Sequence, residues 1–276
     1  MIFPDIDPVA FHIGPFPIRW YGIAYIMGIV LGAALARSYA KRWRDLGVPP
    51  RAIDDFTFWV TLGVLVGGRV GFILLYHPAQ YWADPWQVLQ VQRGGMSFHG
   101  GLLGVALATI LFCRGRWSDI LRLADILACV VPIGLLLGRL ANFVNGELWG
   151  RVTTVSWAMV FPTGGPMPRH PSQLYEALLE GVLMFAILNA LVRVQVVRLS
   201  HGLLAGAFFV LYGASRTAVE FFREPDAELI LGATRGQVYS VPMILLGAAL
   251  MAAAISKRRA VARDASLGGP SNGVSK

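Results

Sequence analysis

Apolar runs about twenty residues long recur along this sequence, and residues 127–137 are the plainest case, with no ionisable side chain except Cys129. A bilayer core is about 30 Å thick, so about 20 predominantly apolar residues cross it as a helix. Read at that length, the sequence predicts seven spans, at 20–40, 56–76, 98–112, 123–143, 174–192, 203–222 and 238–255. The third is the shortest, and it opens on His99-Gly100-Gly101. Only 14% of the residues are charged, against 55% hydrophobic, where a soluble domain carries roughly 25% charge. The expectation is an all-α integral membrane protein of about seven transmembrane helices. One catalytic domain would occupy residues 1–257, with a small cap over about 144–171, and the polar, Gly- and Ser-containing tail 258–276 would be disordered.

The formal charge of +8 could suggest a nucleic-acid partner, but the lysines and arginines sit between apolar runs rather than in one basic block. They read instead as topology signals. Arg37, Lys41, Arg42, Arg44 and Arg51 fall on the same side as Arg114, Arg116 and Arg122, and so do Arg193, Arg198 and the cluster from Lys257 to Arg263. That side is the cytoplasm by the positive-inside rule, which puts the C-terminus there and the N-terminus outside. Residues 1–19 hold Asp5, Asp7 and four prolines without the basic start and apolar core of a signal peptide, so this segment is expected to be retained along the interface. Cys113 and Cys129 both lie in apolar surroundings and support neither a disulfide framework nor a cysteine metal site.

The costliest stretch closes the fourth run: Gly138-Arg139-Leu140-Ala141-Asn142-Phe143-Val144-Asn145-Gly146-Glu147-Leu148-Trp149-Gly150. An arginine at membrane depth costs at least roughly 2.5 kcal/mol unless it faces a wet cavity, an acidic partner or an anionic ligand. A second arginine, Arg216, stands four residues before Glu220 in the sixth run, which permits an intrahelical pair. Arg69 lies among glycines in the second run. His99 stands where an outside loop becomes the third span, and an imidazole there suits general-base work. Tyr21, in Trp20-Tyr21-Gly22, reads by itself as part of an interfacial aromatic belt. Arginines on two helices, a histidine at similar depth and a loop bearing Asn and Glu make a site for an anionic phospholipid headgroup, since the guanidinium fork matches phosphate. No G-x-S-x-G, H-E-x-x-H or P-loop motif is present, so serine hydrolase, zinc protease and ATP-driven chemistry lack support, and neither a metal nor a cofactor is expected.

The run G-R-x-A-N-F-x-N-x-E-x-x-G resembles the signature of the prolipoprotein diacylglyceryl transferases. Trp20-Tyr21-Gly22, His99-Gly100-Gly101 and Arg216-x-x-x-Glu220-Phe221-Phe222-Arg223 are similar to further motifs of that family, as are Arg69 and the Glu176 of His170-Pro171-Ser172-Gln173-Leu174-Tyr175-Glu176. The resemblance extends over nearly the whole chain up to about Asp226. It implies a multi-pass enzyme of the bacterial inner membrane that moves the diacylglyceryl group of phosphatidylglycerol onto the lipobox cysteine of a prolipoprotein signal peptide and releases glycerol phosphate. Its implied site has His99 as candidate base, Arg139 and Arg216 as phosphate clamps, and Arg69 and Gly150 as further substrate contacts. Tyr21, Asn142 and Asn145 would contact or orient the headgroup, and Glu147 and Glu220 would orient the arginines; Glu180, apart from the resemblance, reads as a structural countercharge to an arginine. A lipid transporter would also bury arginines, but no inverted repeat or pair of interrupted helices is visible. A non-catalytic lipoprotein-binding module would bind precursor without forming product.

Overall fold

The structure, a computed structural model, describes residues 1–4, 6–76, 86, 97–225, 229 and 232–267. Asp5, most of the outside segment expected between spans two and three, Asp226 and the end of the tail lie outside the described residues. Among the described residues, the seven expected spans all fall on helices: α1 (Trp20–Arg42), α2 (Pro50–Tyr76), α3 (Phe98–Phe112), α4 (Trp117–Val144), α5 (Ser172–Leu191), α6 (Leu203–Glu220) and α7 (Arg235–Leu267). Five of them, α1, α2, α4, α5 and α7, are long and apolar enough to cross a membrane. The apolar part of α3, Gly100–Phe112, is shorter, and α6 carries Arg216 and Glu220 in its second half. A short antiparallel hairpin, β1 (Val9–Ile13) with β2 (Phe16–Arg19), precedes α1.

Two compact units emerge. One comprises Met1–Gly32 with Ala124–Lys276, the other Ala33–Leu123. In the second, α2 and α3 meet through glycines. A Cβ on Gly63, Gly67 or Gly71 would overlap the backbone of Gly100 or Gly104, and the reverse also holds. These glycines, one turn apart along each helix, thus form a helix–helix seam, the packing favoured where lipid offers no hydrophobic drive. Ser97 ties the start of α3 to α2, its N–H donating to the Gly68 carbonyl at 2.8 Å while its Oγ accepts from Gly100 N–H at 3.2 Å. Replacing Gly67 by valine forces these helices apart, and overpacking of this kind costs about 1–3 kcal/mol or more. A lowered unfolding midpoint of the variant in detergent is the expected result, and an unchanged midpoint would contradict the seam.

The first unit is held by polar contacts inside apolar helices. Asp125 of α4, 2% exposed, accepts the N–H groups of Gly202 at 2.7 Å and Ala205 at 2.8 Å, so it caps the start of α6. Asn189 of α5 donates to the Cys129 carbonyl of α4 at 3.0 Å. Backbones approach closely at Gly28 against Gly134, Gly181 against Leu136 and Gly206 against Gly247. Segment 145–171 folds back on itself through bridges pairing Arg169 with Val152 and Met159, and Phe161 and Phe143 both pack on Phe3.

Candidate active site

Arg139 sits near the end of α4, where an unbroken apolar helix delivers it beside two carboxylates of α5. Its Nη1 is 3.1 Å from Glu176 Oε2, and its Nε and Nη2 lie 3.2 and 3.1 Å from Glu180 Oε2. Arg216, on α6, donates to Glu176 Oε1 and pairs with Glu220 one turn on. Arg223, just past α6, brings Nη1 to 2.9 Å from the same Glu176 oxygen. Among the described residues three guanidiniums thus meet three carboxylates, and Glu176 is the hub that all three arginines share.

Burial divides the cluster. Glu176 and Glu180 are fully enclosed, while the Arg139 and Arg216 side chains keep 17% and 16% of their surface exposed. The acids are the most deeply buried members of the cluster, and the bases keep what exposure it has. Residues 177–183 of α5 wind as a π-helix with Glu180 inside it. Such turns are rare and recur at functional sites.

The signature continues as a curled loop. Gly146 and Leu148 both adopt positive φ, +64° and +58°, a conformation that costs a leucine roughly 1–2 kcal/mol. The turn brings Glu147 Oε1 back to accept from Asn142 Nδ2 at 2.8 Å and Asn145 Nδ2 at 3.2 Å. From α5, Gln173 donates to the Glu147 carbonyl at 2.5 Å and Ser172 to the Leu148 carbonyl at 2.9 Å. Gly150 donates to the His170 carbonyl at 2.8 Å, and a Cβ there would overlap the Phe222 carbonyl. Tyr21, at the start of α1, is 36% exposed and packs against Tyr25 with ring centroids 5.0 Å apart and the rings tilted by 59°. Nearby in the chain, His170 Nδ1 and the Tyr175 hydroxyl are 3.0 Å apart, Trp157 donates to that hydroxyl at 2.7 Å, and burial holds the His170 imidazole below its usual pKa.

Of the residues singled out in the sequence, Arg139, Arg216, Glu220, Glu176 and Glu180 converge in one ion network, with Asn142 in the last turn of α4 and Asn145 and Glu147 in the loop that follows, which Gln173 and Ser172 of α5 hold. Glu180 pairs with Arg139 as a countercharge, and Glu220 with Arg216. Glu147 differs from expectation. It holds the two asparagines rather than an arginine, because the Gly146–Leu148 turn aims its carboxylate back along its own loop and α5 supplies the acids for Arg139. Arg69, 6% exposed, and His99 belong to the second unit, Arg69 next to the Gly68 that holds Ser97 and His99 in the first turn of α3; the His99 side chain lies outside the described residues. Arg223 and Gln173 stood in the quoted motifs without a role of their own, and Asp125, which holds the far end of α6, was not singled out. The legible signal was the spacing of Gln173, Glu176 and Glu180, three polar side chains on one face of an apolar span.

The sequence profile described as prolipoprotein diacylglyceryl transferase matches residues 8–253. The chain belongs to this family. Among curated relatives, the proteins named phosphatidylglycerol–prolipoprotein diacylglyceryl transferase of Rhodospirillum rubrum and Paramagnetospirillum magneticum are 51% identical over 249 residues and 49% identical over 266 residues. These alignments cover 89% and 93% of this chain and 91% and 97% of the relatives. A protein of the same name from Rhizobium leguminosarum bv. trifolii is 52% identical over 257 residues, covering 90% of this chain and 91% of the relative. Family membership and the apolar helices together make this a multi-pass membrane protein.

Proposed function

We propose that this chain transfers the diacylglyceryl group of phosphatidylglycerol to the lipobox cysteine thiol of a prolipoprotein, the first step of lipoprotein maturation. The observation that carries the site assignment is the pairing of Arg139 and Arg216, on different helices, through one fully buried glutamate, while the two arginine side chains keep 17% and 16% of their surface exposed. Two guanidiniums fixed in that way form a clamp for the headgroup phosphate. Their charge is worth most where the phosphate ester leaves and negative charge grows. The thiolate, formed from a thiol of ordinary pKa near 8.5, attacks the glyceryl carbon bonded to phosphate. A thioether forms, the carbon–oxygen bond breaks, and glycerol phosphate departs with the proton that the thiol gave up.

In this scheme His99 takes the thiol proton and Arg69 contributes a further substrate contact. Tyr21, Asn142, Asn145, Glu147 and Gly150 line and orient the headgroup side, and Glu220 steadies Arg216. The enzyme works in the bacterial inner membrane with its N-terminus and the 144–171 cap in the periplasm and its C-terminus in the cytoplasm, which matches the sidedness of its basic residues. Residues 1–257 act as one catalytic domain, and 258–276 form a cytoplasmic tail.

Purified protein in micelles, given phosphatidylglycerol and a lipobox peptide, will add a diacylglyceryl mass to the peptide cysteine and release one glycerol phosphate per thioether. No thioether with a peptide that a related transferase does modify would overturn the assignment.

A further inference from the structure

At one end of the α2–α3 pair, wholly within the second unit, lies a cavity of about 560 Å³ lined by Asp54, Asp55, Phe58 and Trp59 of α2, by Leu111 of α3 and by Arg114 just past it. Ligand pockets span about 300–1,000 Å³. The two helices run antiparallel, with Gly71 against Gly100 and the rings of Phe56 and Phe112 5.2 Å apart, so the start of α2 meets the end of α3. The lining changes character at one level on both. Asp54 and Asp55 stand just before the apolar run that opens at Phe56, and Arg114 stands just past the run that closes at Phe112. Phe58, Trp59 and Leu111 sit about one turn deeper and are exposed. Charges at headgroup level above open apolar side chains follow the profile of a phospholipid, whose polar end gives way to acyl chain at that depth.

Charge narrows the headgroup. Asp54 pairs with Arg37 at 3.3 Å, whereas among the described residues Asp55 and Arg114 have no ion-pair partner. The cavity therefore offers one unmatched carboxylate and one unmatched guanidinium. A headgroup whose only charge is its phosphate suits Arg114 but sets that charge against Asp55. One that carries an ammonium beside the phosphate matches both, and a primary ammonium can also donate N–H to the carboxylate, which a trimethylated one cannot. We infer that this cavity binds a zwitterionic phospholipid with a primary-amine headgroup, its ammonium on Asp55, its phosphate on Arg114 and its acyl chains along Phe58, Trp59 and Leu111. The lipid clasps the two helix ends beyond the Gly63–Gly104 end of their seam. In the orientation proposed above it belongs to the cytoplasmic leaflet, while its chemistry depends on the cavity alone.

The test titrates full-length protein in detergent micelles with phosphatidylethanolamine, phosphatidylcholine or phosphatidylglycerol of identical acyl chains and counts bound lipid by native mass spectrometry. One phosphatidylethanolamine per chain binds at least about tenfold tighter than phosphatidylcholine, the worth of one hydrogen bond to a charged group. Asp55→Asn and Arg114→Gln each weaken that binding by at least about tenfold, and Asp55→Asn leaves phosphatidylglycerol binding unchanged. Phosphatidylethanolamine also raises the unfolding midpoint of the wild type more than that of either variant. Equal wild-type affinity for phosphatidylethanolamine and phosphatidylcholine would overturn the inference. So would phosphatidylethanolamine affinity in both variants within about twofold of wild type, or a loss shared equally by all three lipids, since a merely loosened helix pair weakens every lipid. Should a variant fail to fold, the wild-type preference between the two zwitterionic lipids decides the matter. Thioether formation is not the readout, so the result stands apart from the proposed transfer.

Discussion

Arg139→Ala will lower kcat/KM for thioether formation about 10²- to 10³-fold, the loss seen when one preorganised donor to a developing anion is removed. Among the described residues, Arg139 makes its three polar contacts with the carboxylates of Glu176 and Glu180, and its side chain keeps 17% of its surface exposed. Alanine removes the charge aimed at the phosphate and leaves Glu180 buried without its partner. Arg139→Lys recovers only part of the rate, because an ammonium is a point charge and cannot grip two phosphate oxygens in one plane. Initial rates across a range of phosphatidylglycerol concentrations, with unfolding midpoints recorded beside them, check this. An Arg139→Ala enzyme within threefold of wild type would remove Arg139 from the proposed clamp.

Glu176→Ala has the largest expected effect on the fold. The residue is fully buried and meets Arg139, Arg216 and Arg223 at once. Removing one partner of a buried pair costs about 3–5 kcal/mol because the remaining charge is stranded, and here three cations lose the same anion. The variant will accumulate poorly in membranes and unfold in detergent well below the wild type. Glu176→Gln keeps an acceptor of the same shape, so it folds better but leaves the cluster with one positive charge in excess. Thermal unfolding of the two variants beside wild type separates charge from shape, and equal midpoints for all three would show that the hub bears no structural load.

Helix positions were legible because apolar length is a local property: each run in the sequence became a helix, and the α2–α3 seam was written in Gly63, Gly67, Gly71, Gly100 and Gly104. Arg139 and Arg216 were legible because a charge inside an apolar run demands a reason. Their partners were harder to assign. Glu176, Glu180 and Arg223 are brought to the arginines by the packing of α4, α5 and α6, which no spacing within one helix encodes. The same limit explains Glu147, whose direction depends on the left-handed backbone at Gly146 and Leu148. Asp125 went unnoticed because its partners are backbone N–H groups near position 202, 77 residues away in sequence.

The most direct measurement is an experimental structure of the full-length protein with phosphatidylglycerol bound. The account predicts phosphate oxygens about 2.7–2.9 Å from guanidinium nitrogens of both Arg139 and Arg216, with those of Glu176 and Glu180 still behind them. A headgroup phosphate seated on other cations, with the Arg139–Glu180 and Arg216–Glu220 pairs undisturbed and out of its reach, would contradict it.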